Sequence, residues 1–300
     1  IPVLYAIADR MQRLCPNAVM INFTNPSGIV AQALRKKPVR SVGLCNCPFA
    51  MEKSVKEALG LAEAEIEYVG LNHLSWLTAI RSDGIDYLDR AIKEGVNSAA
   101  MKNIPANGFD REILQAVRGI PSTYLEYYYF KADKLKKLQS EKLSRGEVCL
   151  ALEKELLEKY RDPALNVKPP ELEQRGGAYY STVAVELLEA IENDRRTRHV
   201  VNVSNGGALP FMQDDDIVEC AAIVGRERIE PIPVLNFENE HIIGLMRQMK
   251  SYEKLAAEAA VTGDRHTAIA ALLLNPLCGD YRSVCACYNE MREANQEYLV

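Results

Sequence analysis

The sequence predicts an α/β fold in which part of a doubly wound parallel sheet precedes a larger α+β region. Helical and strand patterns alternate up to about residue 60, which is the order of a doubly wound sheet. The two strand patterns, at 18–23 and 38–44, are short continuous apolar runs of the kind that buried parallel strands show. After residue 64 a hairpin pattern and long helical patterns take over. We therefore expect one domain over residues 1–64 and a second over residues 65–300.

The elements of the first domain follow from spacing and from turn residues. Apolar residues recur at helical spacing over residues 2–14, and Cys15-Pro16-Asn17 ends that pattern. A helix is predicted over residues 29–36 after the first strand. Pro48 opens another, which runs to about Leu59.

The second domain begins with two strands and then becomes mainly helical. Arg81–Gly84 is a turn signal for a hairpin. The predicted strands are 65–70, 74–80, 199–204 and 217–225, and the predicted helical stretches are 87–160, a helix ending near 193, and about 238 to the end.

Composition excludes several classes of protein. The 300 residues carry 36 basic and 41 acidic side chains, a net charge of −5, which gives no reason to expect nucleic-acid binding. The basic run 131–137 is interpreted as the solvated face of a helix. The sequence has no signal peptide and no apolar run of membrane length, and its 8 cysteines follow no four-cysteine zinc pattern. We expect a cytoplasmic protein with reduced thiols and no membrane partner.

A thiol and a histidine each follow a predicted strand. Cys45 comes directly after the strand that ends at Leu44, before the helix opened by Pro48, and His73 begins the next apolar run. A helix N-terminus lowers the pKa of a thiol and favours the thiolate, which is the form that binds metal. Cys45 and His73 are therefore a candidate open metal site. The alternative is a buried inert cysteine and a core histidine.

Four local motifs, in this order and spacing, resemble glycoside hydrolase family 4, the NAD- and metal-dependent glycosidases. They are Asn22–Gly28, Gly43–Pro48, Gly70–His73 and Arg175–Ser181. The resemblance covers nearly the whole chain. It implies the C-terminal half of a Rossmann-type domain followed by a domain like the C-terminal domain of lactate and malate dehydrogenases.

The resemblance also implies an oxidation–elimination–addition–reduction cycle on a phosphorylated sugar. NAD⁺ takes hydride from C3, a base removes the C2 proton, the aglycone leaves, water adds at C1, and the hydride returns to C3. A divalent ion, Mn²⁺ or another, orients two sugar hydroxyls and stabilises the enediolate.

Residue roles follow by resemblance. Cys45 and His73 become the metal ligands, and Tyr180 the candidate base, with Tyr179 as its rival. Asn25 and Asn46 are expected to bind sugar hydroxyls, although Asn25 could instead be a turn residue. Arg175 faces either the 6-phosphate or the N-terminus of its own helix. Asn202 and Asn205 are candidates for lining the pocket, and Cys47 is expected to be packing.

The residue after the metal-binding cysteine indicates the substrate branch. Asn46 resembles the 6-phospho-β-glucosidase branch, whereas the α branch carries Asp there. The expected substrate is a phosphorylated disaccharide or β-glucoside, and the family implies a homodimer or homotetramer. No glycine-rich phosphate-binding turn opens the chain. We therefore expect a C-terminal fragment that lacks most cofactor contacts, with unknown cofactor-binding residues and no turnover on its own.

Two alternatives stay open. One is an oxidoreductase like lactate or malate dehydrogenase, which would pair its catalytic histidine with an aspartate rather than with a strand-tip cysteine. The other is a non-catalytic fragment that binds substrate or metal, or that serves only in oligomerisation.

Overall fold

The computed structural model describes residues 1–98 and 108–298. In that part of the chain the helices are α1 (Pro2–Leu14), α2 (Ser27–Leu34), α3 (Cys47–Leu59), α4 (Leu88–Glu94), α5 (Arg111–Val117), α6 (Glu126–Tyr129), α7 (Lys131–Ser140), α8 (Arg145–Lys159), α9 (Glu171–Arg175), α10 (Tyr180–Glu192), α11 (Glu240–Thr262), α12 (Arg265–Leu274) and α13 (Tyr281–Ala294). The strands are β1 (Val19–Asn22), β2 (Arg40–Gly43), β3 (Glu65–Leu71), β4 (Leu74–Ser82), β5 (Ile85–Asp86), β6 (Ile120–Pro121), β7 (Thr197–Ser204), β8 (Ile217–Val224) and β9 (Ile229–Pro231). Short 3₁₀ helices cover Thr123–Leu125 and Gln296–Tyr298.

The described strands form one sheet in the order β1-β2-β7-β8-β3-β4-β5, with β6 beside β4 and β9 beside β8. Only β1 and β2 pair in parallel among these strands, and every other pairing is antiparallel. This is the predicted α/β class: a short parallel segment from a doubly wound sheet, then a larger α+β region.

The expected domain boundary at residue 64 is crossed by the sheet. A single residue pair, Gly43 with Asn202, joins β2 to β7. This junction is tight, because a Cβ atom on Gly43 would lie 2.8 Å from the Cβ of Asn202 and 2.5 Å from the Ser27 hydroxyl. Glycine is therefore required here for the close approach of the neighbouring strands β2 and β7. The division into residues 1–64 and 65–300 remains a prediction.

The second region is built on the β3–β4 hairpin and on β7 and β8. Trp76 on β4 and Val69 on β3 are fully buried and face each other across the hairpin. The main hydrophobic cluster joins these strands to α10 and α11. This core holds the strand ends and the β3–β4 turn in fixed positions, and the functional side chains lie there.

The basic run 131–137 is only partly a solvated face, which corrects the sequence-based interpretation. Lys134 lies in α7 and is 5% exposed. Its ammonium group is 2.5 Å from a carboxylate oxygen of the fully buried Glu126. A lysine in a polar run can be buried in this way when a carboxylate on the preceding helix accompanies it.

We expect Lys134→Ala to destabilise the protein by about 3–5 kcal/mol, because the buried Glu126 carboxylate would lose its ion pair with Lys134. Lys136→Ala, on the exposed side of the same helix, should stay within about 0.5 kcal/mol of the parent. Urea unfolding followed by circular dichroism measures both. Equal effects of the two substitutions would contradict the assigned ion pair.

Across residues 1–98 and 108–298 the structure contains no helix long and apolar enough to cross a bilayer.

Candidate functional site

The two strand tips predicted to share an edge do so. β1 and β2 run parallel with Asn22 opposite Gly43, and the Leu44 amide donates to the Asn22 carbonyl at 2.9 Å. The turn that carries Asn25 and the segment that carries Cys45 therefore leave the sheet side by side. The carboxyl ends of parallel strands are the usual place for a binding site in such folds.

Cys45 is 4% exposed and lies between β2 and the first turn of α3. The Cys47 amide donates to its sulfur at 3.5 Å. Burial and the charge of Glu219 nevertheless raise the pKa of the Cys45 thiol well above its usual value, and hydrogen bonds from Cys47 and Asn72 only partly offset them. The expectation that the helix N-terminus would favour the thiolate was wrong for the metal-free chain, because the cost of burying the charge is larger.

His73 occupies the tight turn between β3 and β4 in a left-handed conformation, with φ +66°. A non-glycine residue there costs about 1–3 kcal/mol and is characteristic of functional sites. Its ring stacks on Tyr124, with centroids 3.7 Å apart and planes 10° apart. Burial lowers the pKa of His73 to about 4. The imidazole is therefore neutral at pH 7, which is the form that binds a metal.

Tyr124, the stacking partner of His73, lies in the 3₁₀ helix Thr123–Leu125.

Asn72 connects the two candidate ligands. Its side chain is close enough to the Cys45 thiol to lower the pKa of that thiol, and Asn72 directly precedes His73 in the sequence. The same side chain accepts from the Ser27 amide at 2.8 Å. The structure therefore brings together the Cys45 segment, the His73 turn and the turn after β1, as the candidate metal site requires.

Tyr180 lies against this group. The Asn25 side chain is close enough to lower the pKa of the Tyr180 hydroxyl, and the Tyr180 ring meets Phe23 edge-on, with centroids 5.2 Å apart. Burial raises the pKa of Tyr180, and the nearby Cys45 thiol raises it further, whereas Asn25 and Arg175 lower it. A phenol in this position therefore needs an additional cation nearby to act as a base at neutral pH.

The loop before Tyr180 ends in a left-handed residue. α10 begins at Tyr180, and Tyr179 precedes it with φ +68°. Gly177 has φ +88°, and a Cβ atom there would lie 3.1 Å from the Tyr180 ring. The glycine thus allows both the turn and the close approach of Tyr180.

Tyr179 faces away from the site. Its ring packs on Phe49 with centroids 5.0 Å apart, and Lys53 lies over it at 5.1 Å. Both residues belong to α3. The left-handed backbone before α10 turns the two tyrosines toward different neighbours.

The structure places Asn46 and Arg175 beside the Tyr180 loop. The Asn46 amide donates to the Ala178 carbonyl at 2.7 Å and so attaches this loop to the tip of β2. Arg175 is the last residue of α9, five residues before α10 begins. Both expected roles of Arg175, facing the 6-phosphate or facing the N-terminus of the helix that follows it, stay predictions.

The other three residues singled out in the sequence have different roles in the structure. Cys47 is packing, since it is 2% exposed and its sulfur lies 3.4 Å from the Ser122 hydroxyl. Asn205 has a structural role, because its side chain bonds the backbone of Leu209 and Met212. Asn202 is buried beneath the site and donates to Glu219 at 3.0 Å.

Sequence reasoning missed Glu219 and Asn72. Glu219 lies on β8, is 1% exposed and accepts hydrogen bonds from Tyr68, Asn72 and Asn202. Burial raises the pKa of its carboxyl group to about 7. The available signal was a glutamate inside the apolar run Ile217–Val224, where a surface strand would show alternation instead.

The cysteines should differ in reactivity. Burial raises the pKa of Cys47 and of Cys220 to about 12, whereas Cys15 and Cys287 are exposed. At pH 8 we expect a disulfide reagent to label Cys15 and Cys287 in the native protein, and Cys47 and Cys220 only after unfolding. Peptide mass spectrometry measures the labelling. Native labelling of Cys220 as fast as that of Cys15 would contradict this burial.

Comparison with known proteins identifies the family. Residues 1–61 match the model for family 4 glycosyl hydrolases, and residues 68–278 match the model for the C-terminal domain of that family. The chain is 38% identical to a probable 6-phospho-β-glucosidase from Bacillus subtilis and 33% identical to a 6-phospho-β-glucosidase from Escherichia coli. The alignments cover 100% of this chain and 70% and 69% of those proteins.

Solved structures agree with this match. The 6-phospho-β-glucosidase from Thermotoga maritima, determined with manganese, NAD⁺ and glucose-6-phosphate, superimposes with a TM-score of 0.86 at 29% identity. The superposition covers 99% of this chain and 70% of that one. A malate dehydrogenase from Cryptosporidium parvum, at 14% identity and a TM-score of 0.52, shares the fold. The predicted fold class is thus confirmed, and the chain belongs to glycosyl hydrolase family 4.

Proposed function

We propose that the full-length protein hydrolyses 6-phospho-β-glucosides by the NAD- and metal-dependent oxidation–elimination–addition–reduction cycle. The observation that carries the proposal is the packing of the Tyr180 ring against Phe23, near Asn25 and Cys45, at the adjacent tips of β1 and β2. A potential base, a polar amide and a soft metal ligand thus share one site. The relatives named as 6-phospho-β-glucosidases support the substrate class.

The donor set fits a divalent ion such as Mn²⁺. A thiol from Cys45 and a neutral imidazole from His73 would hold it. Asn72 lies near Cys45 and directly precedes His73 in the sequence. Among residues 1–98 and 108–298, no group of three or more His, Cys, Asp and Glu side chains could hold a metal ion. Two protein ligands would leave coordination positions open for substrate oxygens and water, as catalysis requires.

NAD when bound supplies the hydride acceptor and donor for C3, and the metal ion supplies the electrophile that acidifies the C2 proton. Tyr180 removes that proton, and Asn25 holds the Tyr180 hydroxyl in place. Arg175 is close enough to lower the pKa of Tyr180, and we assign it to the substrate phosphate. Contacts to NAD are not assigned to residues of this chain.

The choice of the β anomer rests on Asn46. Its amide holds the loop that leads into Tyr180, so this position lies next to the sugar. An aspartate there would add a negative charge beside the Cys45 thiol and the Tyr180 phenol. The neutral amide of Asn46 therefore suits a reaction in which residue 46 neither donates nor accepts a proton.

The experiment is an assay of the full-length protein on p-nitrophenyl 6-phospho-β-glucoside and on its α anomer. Each is tested with and without Mn²⁺ and NAD⁺, and the bound metal is analysed in parallel. We expect hydrolysis of the β anomer only, dependent on both additions. Turnover of the α anomer alone would overturn the branch assignment. Hydrolysis independent of both cofactors would overturn the mechanism.

A dehydrogenase like malate dehydrogenase is the rival enzyme, because the fold is shared. Such an enzyme would reduce a 2-keto acid with NADH. The pairing of His73 with a thiol favours the glycosidase instead. Reduction of oxaloacetate or pyruvate by the full-length protein, without glycosidase activity, would favour the rival.

The proposal extends to the setting of the enzyme. We propose a cytoplasmic homodimer or homotetramer that acts on a phosphorylated disaccharide or β-glucoside. The net charge of −5 supports a small-molecule substrate over a nucleic acid. Light scattering of the full-length protein measures the subunit number, and a monomer at micromolar concentration would contradict it.

A further inference from the structure

Glu219 is a buried carboxylate surrounded by hydrogen-bond donors. One of its oxygens accepts from the amides of Asn72 and Asn202, each at 3.0 Å, and the other accepts from the Tyr68 hydroxyl at 2.9 Å. Placing a carboxylate inside a sheet costs free energy unless its hydrogen bonds are satisfied. Glu219 has these bonds, and the donors come from β3, β7 and the β3–β4 turn.

These contacts fix the orientation of the Asn72 side chain. Its nitrogen donates to Glu219, and its oxygen accepts from the Ser27 amide at 2.8 Å. A backbone amide can only donate, so the Asn72 oxygen must face Ser27 and its nitrogen must face Glu219. The Asn72 side chain in this orientation also lies near the Cys45 thiol.

We propose that Glu219 is a positioning residue that, through Asn72, holds the Cys45 and His73 segments in register with the turn after β1. The inference rests on the proposed metal site. His73 follows Asn72 directly and has a strained backbone with φ +66°. A turn in this conformation needs neighbouring contacts to keep it, and the Asn72 side chain supplies two of them, to Glu219 and to Ser27. Loss of such outer contacts weakens metal binding about 10–100-fold.

A merely structural role would give a different result. In that case Glu219 only joins β8 to β3, and every substitution that removes one of its bonds would lower stability without selective effect on the metal. The Tyr68→Phe variant isolates this case, because Tyr68 bonds the carboxylate oxygen that Asn72 does not use. We expect Tyr68→Phe to lower the thermal midpoint and to keep Mn²⁺ affinity within about threefold of the parent, since no ligand-holding contact is lost.

Glu219→Gln should preserve the arrangement. Its oxygen can accept from Asn72 and Asn202, and its amide can donate to the Tyr68 oxygen. The Tyr68 proton can then go to the Ser75 hydroxyl, 2.6 Å away. Mn²⁺ affinity is therefore expected within about threefold of the parent. If the charge of Glu219 itself acted on the metal, Glu219→Gln would lower Mn²⁺ affinity instead.

Asn72→Asp places two acceptors face to face, since a carboxylate at this position cannot donate to Glu219. We expect Mn²⁺ affinity to fall at least about tenfold. The double variant Asn72→Asp/Glu219→Gln restores a donor against an acceptor, because the glutamine amide can face the new carboxylate. Asn202 can turn its amide to match, since its oxygen has no hydrogen-bond partner among the described residues.

The experiment titrates Mn²⁺ into the full-length protein and its variants, followed by electron paramagnetic resonance, with thermal unfolding as the check on folding. We expect the double variant to bind within about threefold of Glu219→Gln, and Asn72→Asp to bind at least about tenfold more weakly than either. A double variant as weak as Asn72→Asp, or Glu219→Gln as weak as Asn72→Asp, overturns the inference.

Two further outcomes are decisive. If Asn72→Asp does not fold, the double variant and Glu219→Gln still decide, since the proposal requires both to bind Mn²⁺ within about tenfold of the parent. If the parent itself binds no Mn²⁺, the proposed metal site fails and this inference fails with it. A parent that binds while the variants break the pattern overturns the role of Glu219 alone.

Discussion

The full-length Tyr180→Phe enzyme is expected to lose exchange of the substrate C2 proton with deuterated solvent by about 10²–10⁴-fold, the usual contribution of a positioned base. The ring would keep its edge-on contact with Phe23, and Gly177 would keep its space, so the fold should be unchanged. Only the hydroxyl, which lies near Asn25, is removed. Mass spectrometry of the recovered sugar phosphate measures the exchange, and NAD⁺ affinity should stay at the parent value.

Tyr179→Phe is the matched control. Tyr179 packs on Phe49 and Lys53 outside the group formed by Cys45 and Asn25, so its hydroxyl should not affect the exchange. If Tyr180→Phe exchanges deuterium at the parent rate while Tyr179→Phe does not, the base is Tyr179. Loss in neither variant would remove a tyrosine base from the mechanism altogether.

Cys45→Ser should abolish metal-dependent turnover while the protein stays folded. A hydroxyl is a harder and weaker ligand for a soft site than a thiolate. We expect Mn²⁺ affinity to fall at least about 100-fold, because disturbing only the partners of metal ligands already costs about 10–100-fold. Serine fits the same space, so thermal unfolding should change little. Metal titration and an assay on the β-anomeric substrate measure both effects.

Cys47→Ser tests whether the loss of Mn²⁺ affinity is specific to Cys45 or follows any cysteine-to-serine change in the segment Gly43–Pro48. Cys47 is equally buried, and its sulfur lies against the Ser122 hydroxyl. It should keep Mn²⁺ affinity. His73→Asn provides the second ligand variant, because asparagine tolerates the left-handed conformation at this position. Retained metal and turnover in Cys45→Ser would remove Cys45 from the site.

The motif residues show how far local patterns extend. The tips of β1 and β2 could be predicted to share an edge, since two apolar runs joined by a helix pair in parallel. Asn25, Cys45 and Asn46 follow those tips in the sequence, so their closeness follows from the same argument. Tyr180 could be assigned only by resemblance, because it lies more than 130 residues away along the chain.

Backbone conformation accounts for several errors. A spacing argument places Tyr179 and Tyr180 about 100° apart on one helix, but Tyr179 precedes the helix in a left-handed conformation. Such a conformation depends on neighbouring glycines and on tertiary contacts, which period counting does not include. The burial of Lys134 escapes prediction for a related reason, because its carboxylate partner Glu126 is identified only once the helices pack.

The thiol of Cys45 illustrates a competition that sequence cannot decide. The position before a helix N-terminus favours the thiolate, whereas burial and the nearby Glu219 oppose it. The magnitude of burial depends on which strands cover the residue, and the packing of β8 beside β3 brings Glu219 close. The sign of the pKa shift therefore came from tertiary structure.

By itself the sequence determined the fold class, the order of the elements, the family through its four motifs, and the candidate ligands Cys45 and His73. These depend on local periodicity and on residue types at the ends of strands. Only the tertiary structure decided which tyrosine faces Asn25, and that Glu219 and Asn72 lie beneath the site. The physical reason is that a buried polar group is stabilised by partners from distant strands, and their identity depends on how the strands pair.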